Sequence, residues 1–87
     1  MDFHDATLLS VTADWSAGTA AVHLRVAAAE QPIVITAGGV RDVRVPRQQP
    51  WGPSVSVNSL DLTLTRLTIE MQSGDTIVID AESFVIQ

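Results

Sequence analysis

The chain has 87 residues, 46% of them hydrophobic and 17% charged, with a formal net charge of −5. That length holds one domain with a thin core, and so apolar a composition excludes a disordered segment. With no cysteine, disulfides and thiolate metal sites are excluded. The acidic balance argues against non-specific nucleic-acid binding, which draws its free energy from neutralising phosphates.

Taken from the start, Met1–Asp5 is not a basic region followed by an apolar stretch, so no signal peptide is expected. No run approaches the ~20 apolar residues of a membrane helix, and the expected location is the cytoplasm. Leu9, Val11, Ala13 and Trp15 then alternate, which predicts one buried face of a first strand. Ser16-Ala17-Gly18 is a turn signal, and Ala20, Val22, Leu24 and Val26 predict the core face of a second, antiparallel strand. His23 and Arg25 fall between those positions and are expected to face water.

Pro32 stops any helix begun by Ala27-Ala28-Ala29-Glu30. The β-branched run Ile33-Val34-Ile35-Thr36 predicts a third strand, broken at Gly38-Gly39. Val40, Val43 and Val45 lie in a fourth, less regular segment. Residues 46–53, Pro-Arg-Gln-Gln-Pro-Trp-Gly-Pro, cannot form a central strand, because three prolines remove three ladder donors. They predict an ordered loop anchored by Trp51.

Beyond the loop, apolar parity switches twice. Val55 and Val57 lie on one parity, Leu60, Leu62 and Leu64 on the other, and Leu67, Ile69 and Met71 on the first again. A one-residue slip moves the apolar set to the opposite face, so a bulge or turn is expected at Asn58-Ser59 and another at Thr65-Arg66. Gln72-Ser73-Gly74-Asp75 predicts a second hairpin turn leading into Thr76–Asp80, and Phe84-Val85-Ile86 a short closing strand or a packed tail. Apart from the likeness of the two hairpins, no internal repeat is evident. The pattern predicts an all-β fold: a small antiparallel sandwich or curled barrel of six to seven short strands, little or no helix, in one domain over residues 1–87.

Charge is unevenly spread. Residues 1–40 carry a net −3 (Arg25 against four acids), residues 41–66 a net +2 (four arginines against Asp42 and Asp61) and residues 67–87 a net −4. Within the central block Arg41, Arg44 and Arg47 recur at three-residue spacing, followed by Gln48, Gln49 and Trp51, with Asn58 just beyond. An aromatic with arginines is the composition of interface hot spots, and proline lowers the entropy lost on ordering. These seven residues are the predicted partner-binding set. The competing structural role is a core plug, with Trp51 filling the open end of the sheets and the arginines solvated or paired with Asp61 and Glu70.

His4-Asp5 is the other chemically capable pair. With His23 the only second histidine, a histidine-rich metal site has little to build with. Asp5 bonding backbone amides beside a packed His4 is the simpler role. No Gly-x-Ser-x-Gly elbow and no phosphate loop occurs. The sequence therefore predicts no catalytic residue, no cofactor and no metal, and a binding domain rather than an enzyme. A small-ligand site or enzyme built on His4, Asp5 and the loop arginines is the alternative. A structural subunit of a homo-oligomer is another, given the apolar surplus and the sheet edges.

Phe3-His4-Asp5-Ala6-Thr7-Leu8-Leu9-Ser10-Val11 with Asp14-Trp15, the Pro50-Trp51-Gly52-Pro53-Ser54 loop, and Ile69-Glu70-Met71-Gln72-Ser73-Gly74-Asp75 resemble blocks of small bacterial β-proteins. Among these are immunity-protein families of polymorphic-toxin systems. The resemblance covers about a third of the chain and transfers no catalytic residue. It implies a compact β domain that binds another protein.

Overall fold

The computed structural model describes residues 2–27, 29–48 and 55–87. The expectations placed on Ala28, Gln49, Trp51 and the rest of residues 49–54 lie outside them. The fold is all-β, with six antiparallel strands in one open sheet and no helix among the described residues. They are β1 (Thr7–Asp14), β2 (Thr19–Arg25), β3 (Ile33–Arg44), β4 (Val57–Leu62), β5 (Arg66–Met71) and β6 (Thr76–Ile86). Their order in the sheet is β1-β2-β3-β6-β5-β4.

One face of this sheet is the core. Val22, Leu24, Ile35, Val57, Leu67, Ile69, Ile77 and Ile79 are fully buried there in a single cluster. Each such side chain contributes about 1.5–3 kcal/mol through removal from water. The alternation that predicted β2, the start of β3, β5 and the start of β6 is thus the cause of their placement.

The cluster closes because the two long strands bend. Gly38-Gly39 does not end the third strand, as expected from sequence; β3 runs through it to Arg44. Gly39 has φ +62°, and the Glu82 side chain lies over the place where a Cβ would stand. This left-handed residue turns β3 while its pairing with β6 continues from Gly38↔Ser83 to Val40↔Ala81. Likewise β6 continues from Thr76 to Ile86, so Phe84–Ile86 is its end and not a separate strand. The first half of β3 pairs with β2 and the second half of β6; the second half of β3 pairs with the first half of β6, whose other side holds β5. A bend in shared strands lets one sheet cover both sides of a core, so the expected all-β antiparallel fold takes the form of one folded sheet. Opposite the bend, the outer strands meet: the Leu8 N–H donates to the Val55 carbonyl at 2.7 Å and the Val57 N–H to the Ala6 carbonyl at 2.8 Å.

The pairing survives exchange of β1-β2-β3 with β4-β5-β6. Val11↔Val22 maps onto Leu60↔Ile69, and Val22↔Ile35 onto Ile69↔Ile77. Gly38↔Ser83 maps onto Asp80↔Asp42, and Ala37↔Phe84 onto Ile79↔Val43. Val40↔Ala81 and the Thr7↔Ser56 bridge map onto themselves. Both outer strands carry their register shift at matching places, Leu8/Ser10 and Val57/Ser59. Apart from one extra residue in β3, which has four steps from Gly38 to Asp42 where β6 has three from Asp80 to Ser83, the sheet is two-fold symmetric in its pairing, a repeat that the side chains conceal.

Candidate functional site

Trp15 is the residue whose placement departs most from expectation. It is 99% exposed, in the β1–β2 turn, and contributes nothing to the core. The turn itself is firmly built. Asp14 accepts the Ala17 N–H at 3.0 Å and the Ser16 hydroxyl at 3.1 Å, and its carbonyl accepts the Gly18 N–H. The Ala17 amide and the Ser16 hydroxyl hold the Asp14 carboxyl below the usual carboxylate range. The Gly18 carbonyl accepts the Val40 N–H at 2.9 Å, which ties the turn to the bend of β3. A large apolar ring is therefore presented to water on a fixed backbone, forgoing about 2 kcal/mol of burial.

Trp15 lines an open groove of about 490 Å³ with Ala13, Gly18, Val40, Arg41 and Val43. The symmetry of the sheet supplies its counterpart. The Ala81 N–H donates to the Thr65 carbonyl at 3.0 Å, as Val40 does to Gly18. Leu62, Leu64, Thr65, Glu82 and Phe84 line a second open groove, of about 930 Å³. Leu64, expected in the core, stands where Trp15 stands in the first groove and is 89% exposed. Leu9 is also exposed, at the β1 bulge, whereas Leu60 and Leu62 remain half-buried against the core.

The arginines do not form an irregular loop. Arg41 and Arg44 belong to β3, and their partners are neither Asp61 nor Glu70: Arg41 Nη2 lies 3.7 Å from Glu82 Oε1, and Arg44 Nε donates to Asp42 Oδ2 at 3.1 Å. Arg47 is exposed on a separate groove, formed with Leu8, Leu9, Val45 and Val55. Gln48 is pinned from its backbone, its N–H donating to the buried Asp75 at 3.1 Å. The five predicted partner-binding residues that are described are thus divided: Arg41 lines the Trp15 groove, Arg44 pairs with Asp42, Arg47 and Gln48 lie elsewhere, and Asn58 belongs to another cluster; Gln49 and Trp51 lie outside the described residues.

That cluster is the seam where the outer strands meet. Asn58 donates to Glu70 Oε1 at 2.8 Å, and its carbonyl lies 2.8 Å from His4 Nδ1. Gln72 donates to Asp5, which has φ +66°, a left-handed conformation that aspartate tolerates better than most residues. The Asn58 carbonyl, then Asp5 and Asp2, raise the His4 pKa; its slight desolvation opposes them. The shallow groove here holds His4, Asp5, Asn58, Glu70 and Gln72 but no arginine, and the grooves that hold Arg41 and Arg47 contain neither His4 nor Asp5. The ligand site expected from His4, Asp5 and the arginines together is not assembled among the described residues. No group of three or more metal-ligating side chains is found among them either. His23, expected to face water, is half-buried with Nδ1 covered and without a hydrogen-bond partner.

Comparison of the chain with protein-family models, with curated proteins and with solved structures finds no match.

Proposed function

We propose that this domain is a protein-binding module whose contact surface is centred on Trp15 and Arg41. The observation that carries the reading is the fully exposed indole, held on a hydrogen-bonded turn and sharing an apolar groove with a guanidinium. Tryptophan and arginine dominate the energetics of protein interfaces because each buries a large area around a polar handle. A fixed backbone beneath them lowers the entropy lost on binding. This reading centres the partner surface on the β1–β2 turn and the bend of β3.

An inhibitor of the immunity type is the specific form we infer. Two features support it: the resemblance of the opening and hairpin blocks to such families, and a net charge of −5, which steers encounter with a basic protein. The test is capture from a lysate of the cell that makes the protein, comparing wild type with Trp15→Ser and Arg41→Ala. Loss of a specific partner in both folded variants supports the reading. Undiminished capture by both would end it.

A further inference from the structure

β1 and β4 are the two edges of the sheet, and they occupy equivalent places in the pairing. Their open sides differ. β4 carries the exposed Asp61, paired with Thr68; at the matching place in β1, paired with Ala21, stands the exposed Thr12. A charge on an edge strand opposes further pairing, and β1 has none from Thr7 to Ala13. Beyond the contacts of Thr7 and Leu8 with Ser56 and Val55, the side of Leu9–Ala13 that faces away from β2 has no backbone partner among the described residues. The same strand leaves apolar surface uncovered. Leu9, Val11, Ala13 and Trp15 alternate along it, yet Val11 is only half-buried and the other three are exposed.

We propose that β1 pairs antiparallel with β1 of a second copy, across a two-fold axis at Thr12. The proposal rests on reading Trp15 as a protein-contact residue, and it names a partner for it. In this register Val11 of one copy stands opposite Ala13 of the other, and Trp15 opposite Leu9, each twice over. The uncovered row of one strand is thus covered by the same row of its copy. The bulge at Leu9 lies at the end of the paired stretch. Beside Leu9 an open groove of about 280 Å³, with the exposed Val45 and Val55 in its walls, receives the second copy's indole. Of the two charged residues lining that groove, Asp75 is buried, its carboxylate accepting the Gln48 N–H and the Ser73 hydroxyl. The other, the exposed Arg47, offers a cation to the ring face. Asp14 meets Ser10 rather than another acid. Closed two-fold contacts require such self-complementarity, and Asp61 on the opposite edge keeps the pair from growing into an extended sheet.

Sedimentation of the full chain from micromolar to millimolar concentration tests this. Wild type is expected to pass from monomer to dimer. Thr12→Asp and Thr12→Lys each set like charges against one another at the axis and are expected to weaken the dimer about fivefold or more. An equimolar mixture of these two variants associates, because opposite charges then meet there. Trp15→Ser is expected to weaken the dimer about tenfold or more. Circular dichroism checks that each variant is folded. A wild type that stays monomeric throughout overturns the proposal, as does a dimer unaffected by Thr12→Asp or by Trp15→Ser, or a mixture no more associated than its components. If wild type is monomeric while Trp15→Ser still abolishes capture of another protein, the dimer is excluded and the protein-contact reading survives. A dimer that responds to both substitutions, with capture undiminished by Trp15→Ser and Arg41→Ala, supports the pairing of copies and ends the inhibitor reading.

Discussion

Asp42 and Asp80 stand directly opposite one another in the β3–β6 ladder. Like charges in that relation repel, and the structure offsets them with arginines. Arg66 holds Asp80 through two bonds, Nε to Oδ1 at 2.7 Å and Nη2 to Oδ2 at 3.3 Å, while Arg44 holds Asp42. The Arg66 guanidinium, acting through its hydrogen bonds and its charge, keeps the Asp80 carboxyl below the usual carboxylate range; Arg44 and Arg41 add smaller effects.

Replacement of Arg66 by alanine is therefore expected to destabilise the fold at neutral pH. A carboxyl with a depressed folded-state pKa contributes stability above its unfolded value, and that contribution disappears as pH falls through the folded one. The deficit of Arg66→Ala should be largest near neutrality and vanish in acid, which urea titrations at about pH 7 and about pH 3 would measure. A deficit independent of pH would refute the assignment.

Gly39→Ala should cost about 1–3 kcal/mol, because an L side chain is strained at positive φ and this Cβ would collide with the Glu82 side chain. The two causes separate in the double variant Gly39→Ala/Glu82→Ala. Removing the Glu82 side chain relieves the collision but not the backbone strain, so thermal denaturation should show a partial recovery of stability.

Ile35 and Ile77 occupy equivalent core positions on the two halves, and both are buried. Each is expected to lose about 2–5 kcal/mol on truncation to alanine. Trp15→Ser should change stability by no more than about 0.5 kcal/mol, as surface positions do. Chemical denaturation of the three variants tests the inversion of expectation at Trp15: the larger side chain is the dispensable one.

The raised His4 pKa ties the first residues to β4 in a pH-dependent way. A histidine whose folded pKa lies above its unfolded one stabilises fully below the unfolded value, and the contribution is lost as pH rises through the folded one. The fall in melting temperature caused by His4→Ala should accordingly be greater at about pH 5 than at about pH 8. An equal fall at both would show that the imidazole acts only through packing.

Much of the fold was legible because burial follows period two. Ala20–Leu24, Ile33–Ile35, Leu67–Met71 and Ile77–Ile79 lie where alternation placed them, and the expected break at Asn58-Ser59 is the bulge of β4. Alternation says that neighbours along a strand share a face but not where the strand ends. Trp15 continues the rhythm of Leu9, Val11 and Ala13 but falls one residue beyond β1, in the turn, and Leu64 falls two residues beyond β4. The bend was hidden for a different reason: Gly-Gly signals either a break or a left-handed residue within a strand, and only the pairing with β6 distinguishes them. The grooves were illegible because they depend on the symmetry, and equivalent positions share chemistry rather than identity: Ala20 with Leu67, Val22 with Ile69, Leu24 with Met71.

The invariance of the ladder under exchange of its halves reaches beyond a single molecule. Since β1-β2-β3 meets the other half through the β3–β6 ladder and the contacts of Thr7 and Leu8 with Ser56 and Val55, three strands from one polypeptide could dock on the complementary three from another and rebuild the same shell. Where local concentration is high, trading halves preserves the hydrogen bonds within each shell, so entwined pairs would compete with separate molecules.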